Sequence, residues 1–101
     1  MDRRLELQQL LEDILGSRNV YYQPPESKKI DYPAIIYSRE PFYRRFASNK
    51  AYIGRARYDV IVVDKDPDSD IPLKILELPL TSSNRRYTIN NLNHDVITIY
   101  Y

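Results

Sequence analysis

Apolar residues recur at helical spacing only near the start of this chain. Leu7, Leu10, Leu11, Ile14 and Leu15 fall at i, i+3, i+4, i+7 and i+8, one face of an amphipathic helix over roughly residues 2 to 15. Asp2 is placed to cap its start and Gly16 to end it. Beyond Gly16 the period changes. Val20-Tyr21-Tyr22 is a short strand stopped by Pro24-Pro25, and residues 26 to 32 read as a polar loop.

From Ala34 to Asp64 the chain reads as one long β-hairpin. Its first arm is Ala34 to Glu40 and its second Tyr52 to Val63, both apolar and β-branched at the base, as strands buried in a sheet require. Pro33 stands just before the first arm, where proline is tolerated. In the second arm Tyr58, Val60 and Val62 share one face while Arg57, Asp59 and Ile61 share the other. Towards the tip the residues turn basic and aromatic: Phe42, Tyr43, Arg44, Arg45, Phe46, Lys50, Arg55 and Arg57. A hairpin with a buried base and such a tip is built to protrude from its own body.

Asp66-Pro67-Asp68-Ser69 reads as a turn. Asp70 is placed to cap a short helix over residues 71 to 78, with Pro72 in its first turn and Pro79 past its end. Ile71, Ile75 and Leu78 would face the core. Two last strands, residues 85 to 89 and 96 to 101, are joined through Asn90-Asn91, with Ser82 and Ser83 in a loop before them. The expectation is an α+β fold: a mainly antiparallel sheet with a long protruding β-hairpin and two helices packed on one face. The 101 residues fit one domain, spanning 1–101.

Composition narrows the chemistry. The chain has 2 glycines and no cysteine, which removes a glycine-rich phosphate loop, a disulfide and a thiolate metal site. Its start is not the apolar core of a signal peptide, and no run is long enough to span a bilayer, so the reading is a soluble protein that stays where it is made. Ten of the aromatics are tyrosine, a side chain suited to surfaces half-buried against a partner. Net charge is only +1, which argues against strong generic nucleic-acid binding. Charge is nevertheless segregated. Residues 39 to 57 hold six bases (Arg39, Arg44, Arg45, Lys50, Arg55, Arg57) against Glu40, and residues 64 to 70 hold four acids (Asp64, Asp66, Asp68, Asp70) against Lys65. Either run alone is most simply a solvated face. Together they allow the plus patch of one copy to meet the minus patch of the next, a head-to-tail contact that closes into rings.

Catalytic and metal candidates are weak. The alternating aspartates lack the glycine and the bidentate glutamate of a calcium loop, since Ser69 and Ile75 occupy those places; a capped turn before a helix is the simpler reading. His94 is the single histidine, too little for zinc. Its neighbour Asp95 would face the other side of a strand, so it lacks the orienting partner that a general base needs. It reads as a structural residue hydrogen-bonded at a strand's start. Ser82 and Ser83 have no oxyanion motif around them. No catalytic residue, cofactor-binding residue or metal ligand is assigned, and the chain reads as a non-enzyme. Tyr43, Arg44, Arg45, Phe46 and Arg55 could instead stack bases and hold phosphates, but Arg and Tyr are equally residues of protein interfaces.

In order and spacing the chain resembles the phage tail terminator family, also called tail completion proteins. The resemblance is carried by Asn19-Val20-Tyr21-Tyr22-Gln23-Pro24-Pro25-Glu26-Ser27 after an amphipathic first helix. It continues through Tyr32-Pro33-Ala34-Ile35-Ile36-Tyr37 and through Arg57-Tyr58-Asp59-Val60 leading into Asp64-Lys65-Asp66-Pro67-Asp68-Ser69. It ends at Asn91-Leu92-Asn93-His94-Asp95-Val96 and the closing strand to Tyr101. What it implies is a structural protein of the virion tail and neck, assembled in the host cytoplasm. Such proteins form a ring of six copies on the head-proximal end of the tail tube, ending tube polymerisation and offering a docking surface to the head–tail connector. In contractile tails the ring also meets the sheath, and DNA meets it only while passing through the bore. The family has no catalytic motif to carry over and no interface residue transferable by position. From charge pattern alone the protein-interface candidates are Arg39, Tyr43, Arg44, Arg45, Phe46, Arg55 and Arg57 on the arm and Asp64, Asp66, Asp68 and Asp70 on the loop. The alternatives are another head–tail connector or neck protein, and a nucleic-acid-binding module using the basic, aromatic hairpin.

Overall fold

A computed structural model describes residues 3–40 and 56–101. The outer part of the expected hairpin, with Tyr43, Arg44, Arg45, Phe46 and Arg55, lies outside the described residues, as does the proposed cap Asp2. What is described is an α+β fold. Helix α1 (Arg3–Leu15) leads to strands β1 (Val20–Tyr22), β2 (Ala34–Arg39) and β3 (Arg57–Asp64). Helix α2 (Ile71–Leu76) and strands β4 (Thr81–Ile89) and β5 (Leu92–Tyr100) follow. The five strands form one sheet in the order β1-β2-β3-β5-β4. Only β1–β2 is parallel; the other three pairings are antiparallel.

Strands β2 and β3 pair antiparallel from Ala34 opposite Val63 to Arg39 opposite Tyr58, and Glu40 N–H donates to Arg57 O at 2.8 Å just beyond. This register sets the faces. Ile35, Tyr37, Tyr58, Val60, Val62, Ile97 and Ile99 lie on one side and form the core with Leu7 and Leu11 of α1 and Ile71 and Ile75 of α2. Both helices therefore cover the same face of the sheet, as their apolar stripes require. Ile14, Leu15 and Leu78 are partly buried against this cluster.

Helix α1 stops at Gly16, whose φ of +80° is the left-handed conformation that ends helices, while its N–H donates to Glu12 O at 2.8 Å. A Cβ there would meet nothing within 4 Å, so only backbone strain opposes a side chain. Gly16→Ala should lower stability by about 1 kcal/mol, measurable as a reduced urea midpoint with unchanged slope.

Three expectations are corrected. Asp70 does not cap α2 with its side chain; the preceding Ser69 Oγ accepts from Ile71 N–H at 3.4 Å instead. The regular helix also ends at Leu76, the chain continuing in a tighter turn that bonds Leu78 N–H to Ile75 O at 3.0 Å. Ser82 and Ser83 are strand residues, because β4 begins at Thr81 and pairs with the last residues of β5. Thr81 Oγ1 secures that start by donating to the carbonyl oxygens of Leu76 and Leu78 at 3.2 and 3.0 Å.

The β4–β5 turn is as expected: Asn90 and Asn91 both have positive φ, 54° and 63°, the geometry of a type I′ hairpin turn, which asparagine tolerates. β4 is the outer strand of the sheet and is exposed along most of its length. Its register shifts between Ser83 and Arg85, so Asn84 is an extra residue in the ladder, a β-bulge. At the opposite margin β1 is 3 residues long, and Gln8 of α1 donates to Val20 O at 3.0 Å.

Candidate protein interface

The described residues of the two charged segments lie at opposite ends of β3. Arg57 is its first residue and Asp64 its last, a separation of about 23 Å at roughly 3.3 Å per residue.

At the Arg57 end, Arg57 and Asp59 project on the same side of β3, two residues apart. Arg57 Nη2 lies 3.5 Å from Asp59 Oδ1, and Thr98 Oγ1 donates to the same oxygen at 3.4 Å. Arg57 Nε is buried and has no hydrogen-bond partner among the described residues. Arg57 is thus tied into its own sheet, and reversing its charge would set two carboxylates side by side. Arg39, exposed at the end of β2, lies opposite Tyr58.

Two further arginines join this end from α1. Arg3 Nε donates to Tyr101 O, and its guanidinium stands 5.1 Å from the centre of the Tyr101 ring. Arg4 lies 4.5 Å from the Tyr22 ring centre and donates from Nη1 to Tyr37 Oη at 3.4 Å. Cations over aromatic faces keep their apolar stems covered and their charge outward. The helical pattern marks Arg3 and Arg4 only as polar positions; their role emerges when the fold brings Tyr22 of β1 and Tyr101, just past β5, beneath them.

At the other end, the aspartates organise the loop itself. Asp64 Oδ1 accepts from Asp66 N–H at 3.0 Å and Asp66 Oδ1 from Asp68 N–H at 2.9 Å. These are two successive Asx turns. Asn93 Nδ2 donates to Asp64 O at 3.3 Å and Lys65 O at 3.4 Å, and Arg86 Nη2 donates to Pro67 O. Asp70 meets Lys74 at 3.6 Å with both side chains exposed, a pair worth a few tenths of a kcal/mol at most. Among the described residues, no three acidic or histidine side chains converge as a metal site would require.

Beside this loop lies a groove of about 410 Å³ between α2 and the β4–β5 pair. Pro72, Leu73 and Leu76 line one side and Ile97 the floor. Leu73 is 65% exposed, the largest value among the exposed large hydrophobics of the described residues. Asp68, Arg86 and Asp95 border it, with Arg86 Nε 3.6 Å from Asp95 Oδ1. Sequence reasoning missed this ion pair, although the signal was present. Counting back from the Asn90-Asn91 turn places Arg86 opposite Asp95, the observed register.

His94 is structural in its contacts. Its ring stacks on Tyr87 with centroids 4.7 Å apart and planes 10° from parallel, and Nδ1 lies 3.1 Å from Leu92 O. His94 and Asp95 face opposite sides of β5, one against Tyr87 and the other against Arg86.

No family model matches this chain, and no match is found among curated proteins or solved structures.

Proposed function

We propose that this chain is a structural protein of a phage tail, a terminator whose copies assemble into a ring on the head-proximal end of the tail tube. The ring ends tube growth and presents a surface to the head–tail connector. The observation that carries this reading is where the family-like segments fall. Asn19–Ser27, Tyr32–Tyr37, Arg57–Ser69 and Asn91–Tyr101 supply β1, β2, β3 with its acidic loop, and β5, which are the four adjoining strands of the sheet and one of its charged ends.

The segregation of charge supports the same reading. A basic, tyrosine-rich end and an acidic end, separated by the length of β3, make a polar subunit suited to head-to-tail contact. The partners in this reading are further copies of the chain, six to a ring as the family resemblance implies, then the tail tube protein, the connector and, in a contractile tail, the sheath. DNA meets the ring only in transit through its bore.

Purified protein mixed with tube subunits and imaged by negative stain should give short tubes capped at one end. Tubes that grow to the same length with and without it would overturn the reading. Retention on DNA separates the nucleic-acid alternative, because phosphate contacts weaken steeply with salt.

A further inference from the structure

We draw no further inference here: the strongest candidate, the apolar pocket of about 210 Å³ lined by Leu10 of α1, Leu78 and Leu80 of the turn after α2, and Ile99 of β5, with Arg3 beside them, carries nothing because nothing in the structure shows what fills it.

Discussion

Tyr37→Ala is expected to lower the free energy of unfolding by about 3–5 kcal/mol, the range for deleting a buried aromatic ring. Tyr37 is 1% exposed in the middle of β2. Its ring centre lies 4.9 Å from that of Tyr22 and 6.0 Å from that of Tyr58, so its loss opens a cavity bordered by three strands and α1. Tyr37→Phe isolates the hydroxyl, which donates to Gln8 Oε1 at 2.5 Å. That change keeps the ring and should lower stability by about 1–2 kcal/mol through the unpaired Gln8 oxygen.

The same residue predicts a pH dependence. Burial pushes the Tyr37 phenol above its ordinary value of 10.0, the nearby Arg4 pulling the other way. The folded state therefore holds this proton more tightly than the unfolded state. The contribution is complete below the unfolded value and is lost as pH rises through the raised folded one. Urea unfolding at about pH 9 and about pH 11 should show the parent losing more stability than Tyr37→Phe across that interval. Equal losses would exclude Tyr37 as the source.

Ile75→Ala is the second large effect, about 2–5 kcal/mol. Helix α2 has 6 residues and no side-chain cap, too short to persist on its own propensity. It is held by Ile71 and Ile75, 9% and 0% exposed. On the surface of the same helix, Leu73→Ala removes little buried area and should change stability by less than about 0.5 kcal/mol. Thermal melts of the two variants would show the contrast.

The sheet was legible where periodicity and turn chemistry agreed. Tyr58, Val60 and Val62 alternate cleanly, and Asn90-Asn91 fixes a hairpin. α1 was legible because five apolar residues keep one helical face. What failed was local. A polar run, Thr81 to Asn84, gave no strand signal, since an exposed edge strand has no buried face to imprint alternation. Asp70 has the right chemistry for a cap, but its backbone sits at φ −90° and ψ −2°, outside the extended region from which a cap side chain reaches back. The groove was illegible for a different reason: Leu73, Arg86 and Ile97 come from three elements, and only the packing of α2 over β4 and β5 brings them together. The charged segments were visible in sequence, but that Arg57 and Asp64 stand a full strand's length apart required β3 itself.

The bulge in β4 bears on how this protein avoids uncontrolled growth. A free sheet margin repeats its hydrogen-bonding groups at even spacing and so seeds the addition of foreign strands. Asn84 breaks that repeat, and Arg85 and Arg86 follow it at once. Removing Asn84 would restore an even margin and should turn a dispersed subunit into one that forms ribbons. For a molecule proposed to bring another polymer to a halt, an interrupted edge of its own is the fitting complement.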